Sequence, residues 1–109
     1  MNILNQQRCT PIKKGSAALD HALTTQLLLQ LDDWAPSADG KFIERFFRFA
    51  DFYRTMAFVN AVAFIAHRED HHPDMRISFN SCHLLYTTHT IKGLSHNDFI
   101  CAAHIDAVL

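Results

Sequence analysis

The 109 residues carry no surplus of either charge: ten Lys and Arg stand against eleven Asp and Glu. A protein that grips a polyphosphate backbone usually shows a basic footprint, so direct nucleic-acid binding is not expected. Attraction to an anionic membrane surface is unsupported for the same reason. Long apolar runs are also missing. A bilayer crossing needs about 20 apolar residues in succession, and the longest stretch, Met56 to Ala66, is broken by Asn60 and flanked by Arg54 and His67. The opening MNILNQQRCT lacks the basic flank, apolar run and cleavage site of a secretory signal, so a cytoplasmic address is expected. Cysteine is scarce and has no pairing pattern. Cys9, Cys82 and Cys101 form no C-x-x-C and an odd total, which excludes a disulfide framework and a zinc knuckle. Cys82 and Cys101 read as small buried hydrophobes.

What remains is an ordinary single domain, 49% hydrophobic, with enough apolar residues for a real core. Residues 1–22 are polar and mixed and read as a loosely packed N-terminal extension; 23–109 read as one domain. Leu27, Leu28 and Leu31 have helical spacing, with Thr24 or Thr25 as the N-cap, and the pattern stops at Asp32-Asp33. Trp34–Ser37 and Lys41–Phe47 flank Ala38-Asp39-Gly40, which suggests a hairpin. Seven of the nine phenylalanines lie between Phe42 and Phe64, so this stretch should supply most of the core. Asp51 is a plausible N-cap for a long helix that must end near Pro73, because the residue before a proline is pushed out of the α region. That helix is apolar nearly all round, and its outer face, with Phe58 and Val62, is expected to be covered by a second subunit.

After Pro73 the period falls to two. Met75, Ile77 and Phe79 alternate with polar residues as a half-buried strand, Asn80-Ser81 turns the chain, and Cys82–Thr88 returns, with His89 at its end. Ser95-x-x-Asp98 is a capping-box variant that opens a last helix, with Leu94 and Phe99 as its hydrophobic staple. The order α-β-β-α-β-β-α describes an α+β domain, most simply a four-stranded antiparallel sheet with helices packed on one face.

Histidine is the abundant residue, with eight in all and five (His67, His71, His72, His83, His89) within 23 positions. Its unperturbed pKa of about 6.5 suits proton transfer or metal binding. His67 and His71 have the i, i+4 spacing of a zincin pair, but the required Glu after the first His is replaced by Arg68 and no third ligand is evident, so no metal is expected. His71, His72 and His89 could instead line one cleft as an acid and a base, enough for a dehydration without metal. The plainer alternative is that His71 and His72 cap a helix end, where positive charge favours the dipole, while His89 bonds within its loop. Spacing leaves both open. His83, in a strand, reads as a satisfied structural histidine.

Taken in register, His67, three residues, His71-His72-Pro73, Phe79, nine residues, His89, eight residues and Asp98 resemble the signature of the pterin-4a-carbinolamine dehydratases. The likeness extends to Trp34, Phe47-x-Phe49-x-x-Phe52, Phe58, Thr88-His89-Thr90-Ile91-Lys92-Gly93-Leu94 and Asn97-Asp98-Phe99, and covers roughly 25–109. Leu4-Asn5-Gln6 and Cys9, with Ile91-Lys92-Gly93-Leu94, look most like the bacterial branch associated with phenylalanine hydroxylase. The resemblance implies dehydration of 4a-hydroxytetrahydropterin to the quinonoid dihydropterin, without metal or redox cofactor. The product restores the pterin of aromatic amino-acid hydroxylases, which makes such a hydroxylase the implied partner. By position His71 and His89 resemble the acid/base pair and His72 a catalytic residue that also binds and orients substrate. Thr87 and Thr88 would offer backbone groups to the pterin's amide-like edge. Met75, where many members carry a bulky aromatic, would stand at the pocket rim. His67, often Glu in the family, would help orient a catalytic histidine, and Asp98 would shape the His89 loop. The family also implies a homo-oligomer, dimer or tetramer. Animal members serve as dimerisation cofactors of a homeodomain transcription factor, so a non-enzymatic interaction module is the rival expectation.

Overall fold

The computed structural model describes residues 3–109; the first two residues of the expected extension lie outside the described part. Three helices and four strands follow in the order α1 (His21–Leu28), β1 (Ala35–Pro36), β2 (Ile43–Arg48), α2 (Phe52–Glu69), β3 (Asp74–Ser78), β4 (Ser81–Tyr86) and α3 (His96–Asp106), with single 3-10 turns at Leu4–Gln6 and His89–Ile91. The strands form one antiparallel sheet in the order β1-β2-β4-β3. This is the α+β order expected from periodicity. Among the described residues no helix is long and apolar enough to cross a membrane.

Side chains alternate across a strand, and β2 and β4 send Ile43, Phe47, Cys82, Leu84 and Tyr86 to the buried face. Phe47 meets Phe58 of α2 at 4.5 Å between ring centroids and takes Trp34 edge-on at 6.1 Å. The opposite face holds Glu44, Phe46, Arg48 and His83. There His83 donates to Glu44 (2.9 Å) and stacks on Phe46 at 4.0 Å, contacts within the sheet that suit a structural residue. Gly40, at φ +71°, supplies the left-handed residue that the β1–β2 connection needs, and Ser37 closes it by donating its N–H to Phe42 O.

Several local expectations are corrected. α1 begins at His21, because Asp20 rather than Thr24 or Thr25 accepts the cap bond, from Leu23 N–H at 2.9 Å. The β3–β4 turn falls one residue early, on Phe79-Asn80, and leaves Phe79 exposed. The core stripe of α2 is Thr55, Phe58, Val59, Val62, Ile65, Ala66 and Glu69, so Phe58 and Val62 face inward, not outward. The exposed face carries Tyr53, Ala57, Asn60 and Phe64, with Tyr53 83% and Phe64 66% exposed.

The segment before α1 is not loose. Leu4 is 2% exposed within the core cluster, His104 of α3 donates to Gln7 O (2.7 Å), and Thr10 exchanges hydrogen bonds with the Asn97 side chain at 3.1 and 2.7 Å. Leu19 N–H donates to Leu94 O at 2.9 Å. These bonds answer to residues 75 to 97 positions away, so local composition carries no sign of them. They make residues 3–12 a strap along α3.

Candidate active site

Two ends converge to form the site. At the first, α2 stops with Asp70 in the left-handed conformation (φ 52°), its N–H satisfying Ala66 O and His67 O while His71 N–H also reaches Ala66 O. That turn throws His71 and His72 off the helix axis before Pro73 fixes the start of β3. At the second, β4 runs into Thr87, Thr88 and the 3-10 turn that begins at His89. Thr88 and Gly93 bond each other's backbone in both directions (2.9 and 3.4 Å), which pins this loop beneath the N-terminus of α3.

The result is a cleft of about 250 Å³ lined by His71, His72, Thr87, Thr88 and His89. It adjoins a second basin of about 420 Å³ that shares His71 and Thr88 and is walled by Cys9, Thr10, Pro11 and Ile12 of the strap. Six of the eight residues singled out from sequence can therefore be placed in or directly behind one site, the sixth being Asp98. His72 and His89 are exposed to the opening, while His71 is half-buried.

Asp98 is fully buried and occupied on both oxygens. Oδ1 accepts from His71 Nε2–H at 2.6 Å. Oδ2 accepts from Ser95 N–H (2.9 Å), which completes the capping box of α3, and from Thr88 Oγ1–H (2.8 Å). Burial alone would pull the His71 pKa down; the Asp98 carboxylate, through its hydrogen bond and its charge, outweighs this and holds His71 above the ordinary histidine range. The His71 ring also lies nearly parallel to Tyr86, 5.4 Å between centroids, and Tyr86 OH donates to His71 O at 3.3 Å. The ring of this histidine is thus oriented from behind, and its protonated form is favoured there.

Two expected residues stand elsewhere. His67 is exposed on the last turn of α2, and the side chain that holds the His71 ring is Asp98. Met75 packs on the core instead of lining the cleft, because it lies opposite the fully buried Leu84 on the inward face of the sheet. The threonine hydroxyls face inward too: Thr87 Oγ1 donates to Lys41 O (2.6 Å), and Thr88 serves Asp98. With the Thr88 backbone engaged by Gly93, a free amide edge for a ligand is not available at Thr88.

Sequence reasoning passed over Glu69. Its carboxylate, 1% exposed, accepts from Cys9 N–H (2.8 Å), Arg8 Nε (2.6 Å) and Arg68 Nε (2.9 Å). Burial opposes its ionisation, but these donors prevail and hold it below the usual glutamate range. Glu69 is thereby the post to which the strap is tied. Two of its donors come from 60 residues upstream, so no local pattern could have marked it. Among the described residues no group of three His, Cys, Asp or Glu side chains is placed to hold a metal ion.

Comparison with known proteins gives a consistent family. A provisionally named pterin-4-alpha-carbinolamine dehydratase of Nitrosospira multiformis is 51% identical over 105 residues, 96% of this chain and 91% of its own. One of the same provisional name from Legionella pneumophila is 47% identical, over 97% and 95% respectively. A solved transcriptional coactivator/pterin dehydratase from Brucella melitensis superposes with a TM-score of 0.80 at 27% identity, covering 84% of this chain and 97% of that one. A pterin dehydratase-like protein identified as a RuBisCO assembly factor in the alpha-carboxysome shares the fold at TM-score 0.61 and 19% identity, over 71% and 89%. Residues 17–108 match the family described as Pterin 4 alpha carbinolamine dehydratase, and the chain belongs to that family.

Proposed function

We propose that this protein dehydrates a 4a-hydroxytetrahydropterin to the quinonoid dihydropterin by histidine acid/base catalysis. The observation that carries the reading is the convergence of His71, His72 and His89 on one cleft, with His71 alone backed by a buried carboxylate. Loss of the C4a hydroxyl requires a proton delivered to the departing oxygen and another removed from a ring nitrogen. His71 suits the first task. Its Nε2–H is committed to Asp98, so Nδ1 is the nitrogen that gives up a proton, and the carboxylate favours the protonated ring that can supply it. His89, exposed and across the cleft, takes the role of base, and His72 orients the ring. Contact with the pterin's amide-like edge falls to the Thr87 backbone, since that of Thr88 is already bonded.

The deciding experiment follows the decay of freshly generated 4a-hydroxytetrahydropterin with and without the protein, in the presence of a chelator. Chelator-insensitive acceleration is expected. A folded protein that leaves the decay unchanged overturns the reading and moves the search to partners. The implied role is recycling of the pterin used by an aromatic amino-acid hydroxylase, and that enzyme is the proposed functional partner.

The protein is also proposed to be a homo-oligomer. Tyr53, Ala57 and Phe64 form an apolar stripe on α2 with Asn60, and Phe52 and Phe79 are exposed at its N-terminal end. A monomer has little reason to keep such a contiguous apolar surface wet.

A further inference from the structure

Behind the cleft lies a pair of thiols that acid/base chemistry does not use. Cys9 Sγ, on the strap, is 3.5 Å from Cys101 Sγ, on α3, although 92 positions separate them. Both backbones are fixed. Cys9 N–H is held by Glu69 at 2.8 Å, its neighbour Thr10 is bonded twice to Asn97, and Cys101 sits one helical turn after Asp98 in a fully buried stretch. Cys9 is half-buried and lines the larger basin, whereas Cys101 is fully buried behind it. Cys9 therefore lies on the accessible side of the pair, at the wall of the larger basin, and Cys101 stands behind it.

We infer that Cys9 and Cys101 form a peroxide-oxidisable dithiol whose disulfide clamps the strap to α3 beside the His71–Asp98 pair. A disulfide requires a sulfur separation of about 2.05 Å, so the two must close by roughly 1.5 Å. In the first step Cys9 sulfur attacks one oxygen of hydrogen peroxide. The O–O bond breaks, and the departing hydroxide takes the thiol proton and leaves as water. Cys9 is then a sulfenic acid. In the second step Cys101 sulfur attacks Cys9 sulfur, the S–O bond breaks, and the hydroxyl departs with the Cys101 proton as a second water. Two thiols and one peroxide give one disulfide and two waters, with two electrons passing from sulfur to the peroxide oxygens.

Two weak donors are lost in the process, Cys9 S–H to Asn97 O (3.6 Å) and Cys101 S–H to His71 O (3.9 Å). Cys82, buried alone in β4, is an internal control within the same chain. This chemistry does not depend on the dehydratase reading, and its failure would leave that reading untouched.

The test treats the folded, reduced protein with hydrogen peroxide, then denatures and alkylates it without reductant before mass analysis and peptide mapping. The expected result is loss of two hydrogens, one alkylated cysteine at Cys82, and a peptide link between Cys9 and Cys101. In Cys101→Ala the link is absent and dimedone traps a sulfenic acid at Cys9. In Cys9→Ser, the second variant, Cys101 and Cys82 both remain alkylatable. Three alkylatable thiols in the treated native protein, or a link that involves Cys82, overturn the proposal.

Discussion

At the scale of single residues the site depends on one carboxylate with two duties. Asp98 caps α3 through Ser95 N–H and, with its other oxygen, orients His71. Replacing Asp98 with Asn keeps an acceptor but removes the charge, so the His71 titration followed by NMR should move down toward or below the ordinary histidine value. Turnover at neutral pH should fall with it, and an unmoved titration would deny Asp98 its electrostatic part. His71→Ala and His89→Ala should each slow dehydration by about 100-fold or more, the usual scale for a positioned acid or base, with the fold intact by circular dichroism. The sequence marked both histidines and Asp98 because motif spacing is local or in register with the family. The resemblance implied that His67 helps orient a catalytic histidine, whereas the side chain bonded to His71 is Asp98. Asp70 ends that helix before His71, and the ring swings to α3.

Among the elements, the most legible were those whose information is periodic. The presence of β3 and β4 and the capping box of α3 were readable because each depends on neighbours within a few residues, but the half-buried face expected of β3 was not, since Ile77 and Phe79 are exposed and only Met75 packs on the core. The inner face of α2 was not, since apolar residues occur on both sides and only the sheet decides which side is buried. The structure puts Tyr53 and Phe64 outside, so Tyr53→Glu with Phe64→Glu should abolish the proposed self-association in sedimentation velocity and leave the monomer folded. A profile identical to that of the native protein would count against self-association through this helix. The loop that carries His89 has a separate weak point at Gly93, where an added Cβ would lie 2.8 Å from Ala18 Cβ. Gly93→Ala should therefore lower the melting temperature, and should loosen the Thr88 pairing that positions the cleft floor. Proton exchange at Thr88 N–H would report it.

For the molecule as a whole, two buried ion pairs give stability opposite slopes with pH. His71 has a raised folded pKa, so its contribution is complete below the ordinary histidine value and is lost as pH rises through the higher folded one. Glu69 has a lowered one, so its contribution is present above the ordinary glutamate value and is lost as pH falls through the folded one. Asp106 opposes Glu69, because burial raises its pKa despite the donors Trp34, Asp32 N–H and Arg45, and acid relieves that cost. As pH rises above the ordinary histidine value of about 6.5, denaturation of the native protein should show a decline in stability that His71→Gln flattens. On the acid side, Glu69→Gln should flatten the corresponding fall. The strap that Glu69 ties down also sets an order of events during synthesis. Residues 3–12 leave the ribosome well before their seats on Asn97, Cys101 and His104 are made. Contacts of such long sequence separation cost the most loop closure, so the nascent chain carries an unseated strap, and with it an unwalled cleft, until α3 has emerged.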